Sequence, residues 1–112
     1  MGDIRKKMIA RRVVVTDVPT LISDNLHYKN TVLLKNLSGS KLYETQCVTI
    51  YLDGYEDTVS VTTGYPMFPC EVITLGFQEH APQVPNFEFI KLYGICEPGE
   101  SMEIAILEEE YR

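Results

Sequence analysis

The chain has 112 residues, which is enough to bury one hydrophobic core and too few for two. Its hydrophobic fraction of 45% and charged fraction of 23% exclude a wholly disordered chain. No apolar run approaches the roughly 18 to 20 residues that cross a bilayer as a helix, and the basic N-terminus is not followed by the apolar core of a signal peptide. We therefore expect one domain that is made in the cytoplasm.

The net charge of −6 conceals a split between two parts of the chain. Residues 1–12 carry five cations against Asp3 alone, a balance of +4, so the other hundred residues sum to −10. The five cations are Arg5, Lys6, Lys7, Arg11 and Arg12. We interpret residues 1–8 as a basic arm and residues 9–112 as one β-domain, with the cations docking on an acidic surface or a phosphate backbone. The alternative is a solvated terminus that only aids solubility.

The first third of the sequence predicts two strands. Residues 2–10 allow a short helical arm, but the β-branched run of residues 9–16 predicts the first strand. A short apolar segment at residues 20–22 precedes a polar turn. The run of residues 27–35 predicts the second strand.

The middle of the sequence predicts a hairpin. Residues 47–52 alternate apolar and polar side chains, as a half-buried strand does. Asp53-Gly54 is a tight-turn signal. Residues 58–62 alternate again, with Val59 and Val61 pointing inward. We therefore expect these two runs to pair with each other.

A stiff connection follows over residues 62–75. Gly64 can adopt a positive φ, while Pro66 and Pro69 fix their own φ and favour extended geometry in the residues before them. The connection therefore cannot be helical, and it runs into the next predicted strand, residues 71–77. The apolar face of that strand consists of Ile73, Leu75 and Phe77.

The last third combines a long loop with two further strands. Residues 78–86 contain two prolines and lack apolar periodicity, so they predict an exposed loop. Residues 87–93 predict a strand with both faces partly covered, residues 94–100 a turn, and residues 101–108 a last strand that runs into a short acidic terminus. The apolar face of the last strand consists of Met102, Ile104 and Ile106.

The strand pattern as a whole predicts the fold class. The sequence contains six to eight short runs of strand type, spaced roughly 8 to 12 residues apart, and no sustained helical periodicity. We expect an all-β fold, either an antiparallel β-sandwich or a jelly-roll-like barrel.

Motifs for catalysis are missing from the sequence. Phosphate-loop, zinc-protease, nucleophile-elbow and dinucleotide patterns are absent. We interpret His27 and His80 as surface side chains in preference to metal ligands. Cys47, Cys70 and Cys96 lack Cys-x-x-Cys spacing, so we expect reduced thiols that act as small apolar side chains within or beside strands. The sequence therefore predicts no enzyme, no cofactor and no metal.

Aromatic side chains indicate a candidate contact surface. The chain has seven tyrosines and four phenylalanines. Tyr55, Tyr65 and Phe68 flank the central turns, and His80 lies in the long loop. We expect these four residues to form a contact surface at one end of the sandwich. The alternative is that the tyrosines are half-buried strand residues.

Several short motifs resemble small β-sandwich proteins of tailed-bacteriophage virions. These motifs are Leu33-Leu34-Lys35-Asn36-Leu37-Ser38, Val48 to Leu52, Val61 to Glu71 with its Gly64-Tyr65-Pro66 turn, and Ala105-Ile106-Leu107-Glu108. The resemblance covers most of residues 9–108. The sequence departs from the family at Cys70, where the family turn usually has glycine, in the 78–86 loop and in the basic arm.

The resemblance implies a non-enzymatic structural protein of a virion. The expected roles are a capsid decoration or cement protein, or a head- or tail-associated assembly protein, which self-associates, often as a trimer, and docks on a larger virion partner. In that setting the basic arm docks on an acidic capsid surface, and the acidic body argues against nonspecific nucleic-acid binding. The competing hypothesis is a receptor- or carbohydrate-binding module of a phage fibre, which the tyrosine-rich turns and the 78–86 loop favour.

Overall fold

The computed structural model of the chain describes residues 6–24, 29–76 and 91–111. These residues form eight β-strands and one short 3-10 helix. The strands are β1 (Lys6–Val15), β2 (Thr20–Ser23), β3 (Lys29–Asn36), β4 (Ile50–Asp53), β5 (Tyr65–Met67), β6 (Val72–Gly76), β7 (Leu92–Ile95) and β8 (Met102–Tyr111). The 3-10 helix is Lys41–Tyr43.

The strands form two four-stranded antiparallel sheets. The first sheet has the order β1-β8-β3-β6 and the second the order β2-β7-β4-β5. Strand β1 therefore pairs with β8, β2 with β7, β3 with β6 and β4 with β5. This nested pairing is the strand order of a jelly roll, in which one long hairpin winds into two layers. The prediction of an antiparallel sandwich is confirmed.

The core lies between the two sheets. Both contribute fully buried side chains, such as Val32, Leu34 and Ile104 from the first sheet and Ile50 and Met67 from the second. The predicted inner face of the last strand is confirmed, since Met102, Ile104 and Ile106 are all at most 2% exposed.

Asn36 fixes the two layers to each other at the end of β3. Its side chain is fully buried, and Nδ2 donates to the carbonyl oxygens of Val48 at 2.9 Å and Met67 at 2.8 Å. Oδ1 accepts from the backbone N–H of Ser38 at 3.0 Å. One buried amide therefore satisfies three backbone groups that would otherwise lack partners in the core.

The two ends of the chain differ from the sequence prediction. Strand β1 begins at Lys6, so the final residues of the predicted arm are strand and not a short helix. Strand β8 likewise continues through the acidic run to Tyr111. The reason is mutual pairing, because Lys6 lies opposite Tyr111, Lys7 opposite Glu110 and Met8 opposite Glu109.

The predicted hairpin between residues 47–52 and 58–62 is wrong. Strand β4 pairs with β5 and with β7, and residues 58–62 contain turns and no strand. Val59 is nevertheless 6% exposed, so it anchors the turn against the protein. The Ser60 hydroxyl forms hydrogen bonds with the hydroxyls of Thr62 and Thr63. The segment is therefore held by local side-chain hydrogen bonds and not by a β-ladder.

The connection is not helical, as predicted, and consists of turns around the short strand β5, but Gly64 has a different role. Its φ is not positive; a Cβ at this position would lie 2.7 Å from the Ser60 carbonyl oxygen and 2.9 Å from Tyr51 Cβ. Glycine is therefore needed here because the chain at residue 64 passes close to Ser60 and Tyr51. Pro66 sits in β5, an edge strand, where a missing N–H costs least. Cys70, with φ 63°, occupies the left-handed region that favours glycine.

Strand β7 lies later in the chain than predicted. Gly94 and Ile95 belong to it and not to a turn. A Cβ on Gly94 would lie 2.7 Å from Ile22 Cδ1, so the absent side chain leaves room for the core. The predicted loop at 78–86, the start of the predicted strand at residues 87–90, and His27, Phe77 and His80 lie outside the described residues.

A cation-flanked apolar face as the candidate functional site

The outward face of the first sheet carries two adjacent rows of side chains that run across the strands. In one row Leu107 of β8 lies between Ala10 of β1 and Leu33 of β3. In the next row Ala105 lies between Arg12 and Lys35, and Lys35 in turn lies opposite Val72 of β6. Antiparallel register thus gathers residues from four strands that are distant in sequence.

These rows line a concavity of about 630 Å³. The two alanines, Ala10 and Ala105, leave a depression because their side chains are short. Leu33, Leu107 and Val72 form its apolar sides. We call this concavity and its rim the sheet-face site.

Large apolar side chains extend the site along the sheet. Met8 is 52% exposed, Val14 55%, Val72 52% and Leu107 37%. Single exposed apolar residues are ordinary, but a contiguous patch on one face of a sheet indicates an interaction surface. This face therefore differs from the solvated face expected of a lone sandwich.

Two cations flank the floor of the sheet-face site. The Cα atoms of Arg12 and Lys35 are separated by two strand spacings, about 10 Å, with Ala105 between them. Arg12 has a 56% exposed side chain and reaches Glu103 only at 3.7 Å. Its guanidinium is therefore accessible to an anionic group.

Glu103 is held by a second partner. The hydroxyl of Tyr43 donates to Glu103 Oε1 at 2.9 Å, and this hydrogen bond to a carboxylate raises the pKa of Tyr43. The carboxylate keeps its charge when it accepts from Tyr43, but at 3.7 Å from the largely exposed Arg12 guanidinium it forms only a weak ion pair. The site keeps its positive rim.

The predicted docking cations divide between two roles. Arg12 joins the sheet-face site, and Lys7 is exposed on β1. Arg11 instead turns towards the protein: Nε donates to Glu108 Oε1 at 2.8 Å, and Glu108 is 2% exposed. Lys6 is the first residue of β1, and Arg5 lies outside the described residues.

The basic and acidic segments that are far apart in the sequence therefore lie side by side in the first sheet. The basic strand β1 and the acidic end of β8 are neighbours, with Ile9 opposite Glu108 and Lys7 opposite Glu110. The Arg11–Glu108 ion pair joins these two strands through their side chains. The N-terminal cations serve the fold as well as the surface.

The three described aromatic residues of the predicted contact surface lie in or beside strands β4 and β5 of the second sheet. Tyr55 is 67% exposed, Tyr65 62% and Phe68 57%, so each is accessible. Tyr65 begins the three-residue strand β5 and Phe68 follows its end, which separates their Cα atoms by about 10 Å. None of the three lines the sheet-face site. Tyr51 is half-buried, and burial raises its pKa.

The cysteines are free thiols in two environments. Cys47 and Cys70 are exposed, contrary to the expectation of apolar packing, because both lie in loops. Cys96 is buried, and burial raises the pKa of its thiol to about 11. Within the described ranges, no group of three or more His, Cys, Asp or Glu side chains is arranged to hold a metal ion.

Comparison of the chain with protein-family models, curated proteins and solved structures finds no match. Among the described residues, no helix has the length and hydropathy to cross a membrane.

Sequence reasoning found two residues that line the sheet-face site, Arg11 and Arg12, of which only Arg12 is an accessible cation of its rim, and it missed the others. The cluster of N-terminal cations identified Arg12 as a candidate. Nothing in the sequence analysis assigned Lys35, Ala105 or Leu107 to a site. Leu107 carried a signal, because it is a large apolar side chain on the face of the last strand opposite the core. The neighbours of Leu107 could not be read from alternation, which gives the face but not the partner strand.

Proposed function

We propose that the chain is a non-enzymatic structural protein of a bacteriophage virion, a capsid decoration or a head- or tail-associated assembly protein that self-associates and docks on a larger virion partner. The sheet-face site carries the proposal. It combines a contiguous exposed apolar patch with two cations on a rigid sheet. The motif resemblance supports the virion setting.

The composition of the site favours a protein partner. Protein interfaces combine an apolar centre with a polar rim, and arginine is enriched in them. Leu107 and Leu33 supply the centre, and Arg12 and Lys35 supply the rim. The fold alone does not choose a function, since jelly rolls serve in capsids and in lectins.

The charges define the partner more closely. Arg12 and Lys35 attract carboxylates, so the partner surface is acidic, and the association weakens as salt screens the charges. A trimer is the favoured homo-oligomer. The expected location is the virion, after synthesis in the host cytoplasm.

A receptor- or carbohydrate-binding module is the second candidate. The exposed Tyr55, Tyr65 and Phe68 favour it, because aromatic rings stack on sugars. Titration calorimetry against a panel of oligosaccharides tests this candidate. Saturable binding that Tyr65→Ala abolishes would favour it over assembly.

The test of the assembly proposal is solution mass by light scattering at low and high salt. Deleting residues 1–11 is unsuitable, because it removes six of the ten residues of β1. The better variant is Arg12→Glu with Lys35→Glu, and Lys41→Glu in the exposed 3-10 helix is the matched control.

We expect an oligomer at low salt that Lys41→Glu retains and the double variant loses. We likewise expect the intact chain and Lys41→Glu to cosediment with emptied tailed-phage heads, and the double variant to remain in the supernatant. A monomer at every salt concentration, without binding to heads, would reject the assembly proposal.

A further inference from the structure

A second exposed feature complements the sheet-face site. Residues 53–57, Asp-Gly-Tyr-Glu-Asp, begin at the last residue of β4 and form what we call the acidic turn. It places the 67% exposed ring of Tyr55 next to the exposed residues Glu56 and Asp57. An aromatic ring beside two carboxylates matches an apolar depression between two cations.

The acidic turn is held in shape by its own hydrogen bonds. Asp53 accepts from the Gly54 N–H at 2.6 Å and from the Thr58 hydroxyl at 2.8 Å. The N–H of Val59 donates to the Tyr55 carbonyl at 3.1 Å, and the Val59 side chain is 6% exposed. Binding through such a preformed turn costs little conformational entropy.

The dimensions of the two features agree. Arg12 and Lys35 stand about 10 Å apart across Ala105, which leaves a gap that a tyrosine ring can enter. The concavity of about 630 Å³ exceeds the volume of one side chain. Glu56 and Asp57 follow Tyr55 directly, so they would enter the same region of the site as the ring.

The sheet-face site cannot be filled by the acidic turn of its own chain. The site lies on the outward face of the first sheet, and the turn follows β4 of the second sheet, in the opposite layer. Face-to-face pairing of two sheet-face sites is also unfavourable, since it brings Arg12 and Lys35 of both copies together. When two copies associate, the acidic surface must therefore come from a different region of the second copy.

Other acidic segments fit less well. The turn at residues 97–100 contains two glutamates, but it lacks an aromatic residue. Its Gly99 N–H is bound to Asp17 at 2.9 Å, and Glu97 accepts from the Tyr51 hydroxyl at 3.4 Å. These contacts hold the 97–100 turn against its own protein.

We propose that the acidic turn of one copy inserts Tyr55 into the sheet-face site of a second copy, so that copies associate head to tail. This inference rests on the self-association in the proposed function and assigns its two surfaces. A heterologous contact of this kind closes into a ring when its rotation permits and otherwise continues as a filament.

Mixing two variants tests the arrangement. Tyr55→Ala removes the inserting ring, and Lys35→Glu reverses one charge of the site. We expect each variant alone to associate about tenfold or more weakly than the intact chain, as loss of an interface anchor does. A mixture of the two retains one intact turn and one intact site, so light scattering should find a dimer.

Tyr65→Ala is the matched control, because Tyr65 is 62% exposed and lies outside the acidic turn. It should leave the mass of the oligomer unchanged. An oligomer that Tyr55→Ala leaves intact would overturn the head-to-tail contact while self-association stands. Absence of a dimer in the mixture would also overturn it, as would an intact chain that is monomeric at every salt concentration; the assembly proposal is rejected only when such a monomer also fails to bind heads.

Discussion

Arg11 and Glu108, which are 97 positions apart in sequence, form an ion pair within the first sheet, and both side chains also bond to β2 of the second sheet. Their Nε and Oε1 atoms are 2.8 Å apart. The other oxygen of Glu108 accepts from the Ser23 hydroxyl at 2.5 Å, and Arg11 also donates to the Ile22 carbonyl at 2.7 Å. Strands β1, β8 and β2 therefore meet at one charged contact.

Removing one member of this pair should destabilise the protein. Glu108→Ala leaves Arg11 without its carboxylate, and loss of one partner of a buried pair costs roughly 3 to 5 kcal/mol. Because the Arg11 side chain is 36% exposed, water moderates the loss to about 1 to 3 kcal/mol. Urea unfolding of Glu108→Ala, Arg11→Ala and the double variant measures the coupling; strictly additive losses would contradict it.

Three glycine-to-alanine substitutions should differ in a definite order. Gly64→Ala meets the Ser60 carbonyl oxygen, which is backbone, and should cost about 2 to 3 kcal/mol. Gly94→Ala meets the end of Ile22, which can rotate, and should cost about 1 to 2 kcal/mol. Gly76→Ala, with nothing within 4 Å, is the control. Equal unfolding free energies for the three variants would refute this account.

The left-handed conformation of Cys70 predicts a preference for glycine. Cys70→Gly and Cys70→Ala both remove the thiol, but only alanine retains a Cβ at φ 63°. We expect the glycine variant to be more stable than the alanine variant by about 1 kcal/mol. Thermal unfolding measures the difference, and an alanine variant of equal or greater stability would show that the turn relaxes.

The buried thiol of Cys96 makes stability depend on alkaline pH. Burial raises the pKa of Cys96 from 9.0 to about 11, so the unfolded chain ionises first. The resulting contribution to stability is complete below pH 9 and is lost as pH rises towards 11. Chemical unfolding across this range should show a steeper decline in the intact chain than in Cys96→Ala.

Thiol labelling near neutral pH provides an independent check on the same residue. Cys47 and Cys70 are exposed and should react rapidly, whereas Cys96 should react only on unfolding. A third fast thiol in the native protein would contradict the burial of Cys96.

The sequence predicted which face of a strand is buried better than it predicted which strands pair with each other. Alternation identified the inner face of β8, where Ile104 is fully buried, because a period of two is a direct result of strand geometry. Alternation failed at residues 58–62, because the buried Val59 gives a turn segment the apolar and polar pattern of a strand. A short alternating run does not show whether its backbone groups form hydrogen bonds in a β-ladder or within a turn.

The sheet-face site was beyond reach for the same reason. Arg12 and Lys35 are neighbours of Ala105 only because β8 lies between β1 and β3. That order follows from long-range pairing, which leaves no local signature in the sequence. Tyr55 was recognised as an exposed aromatic residue, but its place in a preformed acidic turn required the hydrogen bonds of Asp53.

The position of β8 has a consequence for biosynthesis. Among the eight described strands β8 is synthesised after the other seven, yet it occupies the interior of its sheet, between β1 and β3. During translation β1 therefore has no ladder partner, and β3 can pair only with β6. The nascent chain must keep a slot open for β8 until that strand has been made, and in that interval chaperones or neighbouring nascent chains compete for the same two strand edges.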